Sequence, residues 1–182
     1  KLSKMNNPPL DHPSSKWYTW RLMNCAKPLV GAINGLAFGG AALMASSFDI
    51  RIGTNNTSFK FLAATYGRLN SSWTLPAQIG WPKAKELLFT GRQVMAEEAY
   101  EIGLLNHLVA TDKLMDKTLE IAEMISNNDP RMVQGLKKLV SENIGHTLKE
   151  QYNHEMRAVQ DWLKPISVQD SFKTFLDKKG RK

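Results

Sequence analysis

The stretch from Lys27 to Asp49 constrains most strongly what this chain can fold into. Pro28 precedes a compact apolar run, Leu29 to Ile33, which Asn34-Gly35 ends. A short apolar run between breakers reads as a buried strand. Gly39-Gly40 then opens an Ala/Leu/Met run, Ala41 to Ala45, which reads as a helix. The unit is a strand, a glycine turn and a helix. The first N–H groups of a helix have no partner inside it, and the helix dipole favours negative charge there. With no side chain at Gly39 or Gly40, a carbonyl oxygen can approach the Gly40 N–H, which is how an oxyanion hole is built. A glycine pair by itself is more often only a turn.

The surrounding pattern extends this unit into an α/β layer. Residues 1–15 hold breakers such as Asn6-Asn7-Pro8-Pro9 and His12-Pro13, and Lys16 to Asn24 reads as a short helix capped by Ser14 or Ser15. Phe48 to Ile52 and Ser58 to Phe61 read as strands, with Thr54-Asn55-Asn56 as the turn between them. From Trp73 onward the pattern is almost wholly helical: Lys83–Phe89, Ala96–Ile102 closed by Gly103, Asp112–Ser126, Pro130–Asn143, Thr147–Leu163 and Val168–Lys178. Leu105–Val109 is a short strand within that half. A strand–helix layer followed by helices predicts an α/β core with a helical C-terminal part, divided at residues 1–110 and 111–182. Only about four strands are visible, fewer than such a sheet needs to cover its edge, so further strands are expected upstream of Lys1.

Composition narrows the chemistry. The 182 residues suit one globular domain, and no apolar run approaches the ~18 residues of a membrane span. One cysteine, Cys25, leaves no internal disulfide and points to a reducing, cytoplasmic compartment. A net charge of +7 favours anionic partners: nucleic acid, anionic lipid or a phosphate-bearing small molecule. No aromatic platform is interleaved with the basic residues, so nucleic acid is the weaker of these. His146 and His154 have no cysteine near them, and His107 sits in a strand pattern, so no metal or metal cofactor is expected.

The same residues resemble the crotonase family, the enoyl-CoA hydratases and isomerases. The likeness is carried by Lys27-Pro28, Ala32-Ile33-Asn34-Gly35, Ala37, Gly39-Gly40, Met44-Ala45 and Asp49. It continues through Phe59, Gly67, Leu75-Pro76 with Gly80, Leu87-Leu88, Thr90-Gly91, Ala96-Glu97-Glu98-Ala99, Gly103-Leu104 and Val109. It runs from about Lys16 to the end and implies the C-terminal portion of a ClpP/crotonase-like ββα spiral core, followed by a helical trimerisation region. It also implies an acyl-CoA thioester as substrate, with coenzyme A as part of that substrate and no separate cofactor, and a homotrimer or hexamer. Gly40 would supply an oxyanion N–H, and Gly39, Leu43, Ala63 and Tyr66 would line the substrate site. Lys178, Lys179 and Arg181 match the basic end of the family's last helix, where CoA phosphates can bind.

The departures change what this site can do. Family hydratases hold and activate water between two glutamates. This chain has Leu43 at the first of those positions and Ala63 at the second. The isomerase branch uses a base that in some members lies in the loop after the conserved glycine, and Gly67–Trp73 contains no acid. Tyr66, Asn70, Ser71 and Ser72 remain as polar groups, read first as turn formers. Two readings follow from the resemblance: an enzyme with an altered proton-transfer group, or a catalytically silent subunit that binds acyl-CoA or only assembles.

Overall fold

The computed structural model describes residues 18–179. The described residues divide into two compact units, one ending at Asn128 and the other beginning at Asp129.

The first unit is a spiral of ββα turns. Its elements are α1 (Tyr18–Met23), β1 (Val30–Ile33), β2 (Leu36–Phe38), α2 (Gly40–Ala45), β3 (Ile50–Thr54) and β4 (Ser58–Lys60). They are followed by α3 (Leu75–Ile79), α4 (Trp81–Thr90), β5 (Gln93–Met95), α5 (Ala96–Glu101), β6 (His107–Val109) and α6 (Leu114–Ser126). One sheet has the order β1-β3-β6, all parallel. The other has the order β2-β4-β5, with β2 and β4 parallel and β5 antiparallel. The first two turns each place one strand in the first sheet and the next in the second; β5 then joins the second sheet before β6 joins the first.

Backbone and threonine hydrogen bonds hold the corners together. The buried Thr57 hydroxyl donates to the Ile33 carbonyl (2.5 Å) and accepts from the Thr54 N–H (2.9 Å). Ser58 N–H donates to the Gly35 carbonyl (3.2 Å), so the corner after β3 is stacked on the corner after β1. Packing completes the layer. Ala42 and Ala45 of α2 are buried, and the small side chains let the helix lie close to Ala37 and Phe59 in one core with Phe61, Leu75, Leu87, Val94 and Leu105. Each fully buried Phe or Leu contributes roughly 1.5–3 kcal/mol.

One buried charge, Arg51, bonds to backbone carbonyls. The Arg51 side chain donates through Nε to the Leu104 carbonyl (2.6 Å) and through a terminal nitrogen to the Phe48 carbonyl (2.5 Å). Burial pushes its guanidinium down to about 10, against the opposing pull of Asp49, so it stays charged at neutral pH. Asp49 itself accepts the Leu29 N–H (2.7 Å) and fixes the entry to β1.

The second unit comprises α7 (Pro130–Glu142), α8 (Leu148–Asp161) and α9 (Val168–Lys179). Asp129 caps α7 by accepting the Arg131 and Met132 N–H groups, and Pro130 occupies the first turn, where its missing donor costs nothing. Thr147 and Glu150 form a reciprocal capping box on α8. Leu139, Ala158 and Leu163 form its core, with Met132 against them.

Most expected elements are present with shifted ends. The expected strand Phe48–Ile52 is Ile50–Thr54, because Thr54, read as a turn residue, pairs with Val109 in β6. Three short elements fall outside the expectations: β2, β5 and α3. β5 also corrects the reading of everything after Trp73 as helical apart from one strand. Ser14, Ser15 and Lys16, named for the first helix and its cap, lie outside the described residues.

Gly53 tests the packing. A Cβ there would lie 2.5 Å from Leu105 Cδ1 and 3.1 Å from Thr57 Oγ1. Gly53→Val is expected to destabilise the chain by about 1–3 kcal/mol in urea unfolding. An unchanged midpoint would show that β3 does not pack as described.

Candidate functional site

Parallel pairing of β2 with β4 sets Phe38 beside Lys60. The C-terminal ends of the two strands therefore lie at one sheet edge, the side on which ligands gather in α/β sheets. Gly39-Gly40 leave β2 at that edge, and Phe61 to Tyr66 leave β4 there. The Gly39 N–H donates to the Lys60 carbonyl (2.8 Å), which continues the ladder one residue past the strands.

Gly39 has φ 57° and ψ −114°, a conformation for which only glycine is suited. That turn lets Gly40 begin α2. The Gly39 carbonyl accepts the Leu43 N–H (3.1 Å) and closes the first helical turn. The Gly40 N–H, at the first helical position, has no intrahelical partner. A Cβ on Gly40 would meet only one side-chain atom of the described residues within 4 Å, the Tyr18 hydroxyl oxygen at 3.6 Å. Leu43 is half-buried, and its carbonyl accepts both the Ser46 and Ser47 hydroxyls (2.9 Å each).

On the neighbouring arm, Ala63 is buried and caps a 3-10 turn, Ala64–Tyr66. Its carbonyl accepts the N–H groups of Tyr66 (3.1 Å) and Arg68 (2.8 Å). Tyr66 is 62% exposed. Of the other polar candidates, Ser71 is buried at φ 58°, left-handed for a non-glycine residue, and Ser72 is exposed. Trp73, just after them, packs against Trp20 of α1 with ring centroids 5.7 Å apart.

The predicted residues thus separate. Gly39, Gly40 and Leu43 share one turn, while Ala63 and Tyr66 share the arm beside it. Lys178 and Lys179 lie in the last turn of α9, and Arg181 lies outside the described residues. His146 and His154 meet edge-on, centroids 4.9 Å apart, and His154 Nδ1 sits 2.7 Å from Asn143 Oδ1. Among the described residues no group of three or more His, Cys, Asp or Glu could hold a metal, and no helix is long and apolar enough to cross a membrane. A separate concavity of about 560 Å³ is lined by Ile50, Ile121, Met124, Ile125, Asn127 and Asn128, none of them titratable. Tyr18 is the residue that sequence reasoning missed. Its place beside Gly40 comes from the packing of α1 on α2, which no local spacing signals.

The description of the enoyl-CoA hydratase/isomerase family matches residues 12–182. This chain belongs to that family. It is 31% identical over 163 residues to the short-chain-enoyl-CoA hydratase of Clostridium acetobutylicum, covering 87% of this chain and 62% of that protein. It is 34% identical over 134 residues to the carnitinyl-CoA dehydratase of Proteus mirabilis, covering 72% and 51%. The solved enoyl-CoA hydratase of Bacillus anthracis superposes with a TM-score of 0.80 at 30% identity, covering 88% of this chain and 63% of that one. The chain therefore spans less than two thirds of the length of these relatives.

The two glycines differ in what a side chain would cost. Gly39→Ala is expected to lose about 1–3 kcal/mol from the forced backbone conformation. Gly40→Ala, whose Cβ meets an ordinary contact, is expected to stay within about 0.5 kcal/mol of the wild type. Equal losses in thermal or urea unfolding would contradict the described turn.

Proposed function

We propose that this family member binds an acyl-CoA thioester, with the Gly40 N–H donating to the thioester carbonyl. The observation that carries the reading is the unblocked Gly39-Gly40 turn, bonded through Gly39 to the end of β4 and set beside the Ala63 arm. A preorganised N–H at a carbonyl oxygen stabilises the negative charge that forms there when the α-carbon loses a proton or the double bond is attacked. Leu43, Ala63 and Tyr66 then form the walls of the acyl site. Lys178, Lys179 and Arg181 supply charge of the sign that CoA phosphates need.

Leu43 and Ala63 cannot take or give a proton, so the two-carboxylate hydration route is not open to this chain. Proton transfer, where it occurs, runs through another group, and the hydratase/isomerase role is reduced to binding and polarising the thioester. The competing reading is a silent subunit, which the same two apolar residues favour. Assembly into a homotrimer or hexamer in the cytoplasm is part of the proposal; exposed Leu136 and Val140 on α7 offer an apolar face for it.

The test is calorimetric titration with acetoacetyl-CoA and with free CoA, followed by a crotonyl-CoA hydration assay. Wild type is expected to bind the acyl form more tightly, and Gly40→Ala is expected to bring its affinity down to that of CoA. Hydration is expected to fall at least about 10²–10⁴-fold below that of the Clostridium relative measured alongside, the contribution of one acid–base group. Equal affinity for both ligands would refute the carbonyl contact, and hydration at the relative's rate would refute the loss of the carboxylate route.

A further inference from the structure

Two imidazoles meet at the corner between α7 and α8, and the thioester site makes no use of them. The ring centroids of His146 and His154 lie 4.9 Å apart, with 77° between the planes. Their separation along the chain gives no reason to expect a shared site. They meet because the chain turns at Gly145 (φ 87°) before Thr147 caps α8. The corner is tied on both sides of His146: its N–H donates to the Asn143 carbonyl (3.1 Å), and Gln151 Nε2 donates to its carbonyl (2.8 Å). The His146 side chain is 44% exposed and His154 is half-buried, so an ion can reach the pair from solvent.

One nitrogen of each ring is oriented by an oxygen. His154 Nδ1 lies 2.7 Å from Asn143 Oδ1, an acceptor, so Nδ1 carries the hydrogen and Nε2 keeps its lone pair. His146 Nδ1 faces Glu150 Oε2 at 3.7 Å, and a carboxylate on that side likewise favours the hydrogen on Nδ1. Glu150 is fixed in turn by the Thr147 N–H and hydroxyl (2.8 Å each), which hold its carboxyl below the usual range and keep it ionised. A ring whose Nδ1–H points at a carbonyl or carboxylate, leaving Nε2 to coordinate, is the arrangement of metal-ligating histidines.

The separation of the rings fits one shared ion. A first-row metal sits about 2.0–2.1 Å from an imidazole nitrogen, and so about 3.2 Å from the ring centre. Two imidazoles on one ion at about 90–110° then have centroids about 4.5–5.3 Å apart, a range that includes the observed 4.9 Å.

We infer that His146 and His154 bind one divalent transition-metal ion through their Nε2 atoms, with Asn143 and Glu150 orienting the rings. Two protein ligands leave the other positions to water, in keeping with the lack, among the described residues, of any group of three or more His, Cys, Asp or Glu able to hold a metal. Neutral imidazoles suit zinc, nickel and copper, with copper bound most tightly. The ion ties the end of α7 to the second turn of α8, within the second unit, and the inference does not depend on the acyl-CoA reading.

The experiment uses the full chain, ¹⁵N-labelled and stripped of metal with EDTA. Long-range ¹H–¹⁵N spectra of the histidine rings are followed during titration with Zn²⁺. The Nε2 signals of His146 and His154 are expected to move together and to saturate at one ion per chain, while both Nδ1 atoms stay protonated. Calorimetry with Ni²⁺ is expected to show affinity falling at least about tenfold in His146→Asn and in His154→Asn, and holding in His12→Asn. Melting temperatures taken without metal check that the variants fold, and the ring spectra of the unmutated chain decide the matter if they do not. Movement of only one of the two rings, or of neither at saturating Zn²⁺, would overturn the inference. So would an Ni²⁺ affinity that survives either substitution in a folded variant, since the ion would then be held elsewhere.

Discussion

The hydrogen bond from the Gly39 N–H to the Lys60 carbonyl is the contact on which the candidate site depends. It extends the parallel pairing of β2 with β4 by one residue, to the point where both strands end. Without it, the glycine turn and the Ala63 arm would be two independent loops. With it, the start of α2 and the start of the 3-10 turn share one edge, and their relative position is as fixed as the register of the sheet. The register in turn rests on the corners, where Thr57 ties the second crossing to the first.

Such an architecture separates scaffold from chemistry. Ala42, Ala45 and Ala37 hold α2 against the second sheet, and Arg51 holds the turn at Phe48 and the loop at Leu104 from inside the core. None of these residues needs to touch a ligand. Leu43 lies on α2 and Ala63 follows β4, so neither belongs to the strands that form the scaffold. The chain belongs to the enoyl-CoA hydratase/isomerase family by sequence and by fold.

Much of this was legible in the residues. β1 is a continuous apolar run, α2 follows a glycine pair, and α6, α7 and α8 have helical spacing with stop signals or caps at their ends. β2 and β5 were not legible because three residues are too few to show a period of two, and each is a strand only because β4 lies alongside. Thr54 was read as a turn from its polar neighbours, yet it is the last strand residue because β6 pairs with it from more than fifty positions away. In the candidate site, Gly40, Leu43 and Ala63 could be named from a resemblance. The neighbour of Gly40 could not, since Tyr18 reaches it only through helix packing.

The most direct measurement is the amide signal of Gly40 in a ¹⁵N-labelled chain, followed by NMR during titration with acetoacetyl-CoA and, separately, with CoA. The account predicts that the Gly40 N–H moves downfield with the acyl form, as a new hydrogen bond to a carbonyl requires, and stays near its free position with CoA alone. A Gly40 signal that is unmoved by saturating acetoacetyl-CoA, while other residues of the chain respond, would place the thioester elsewhere and contradict the account.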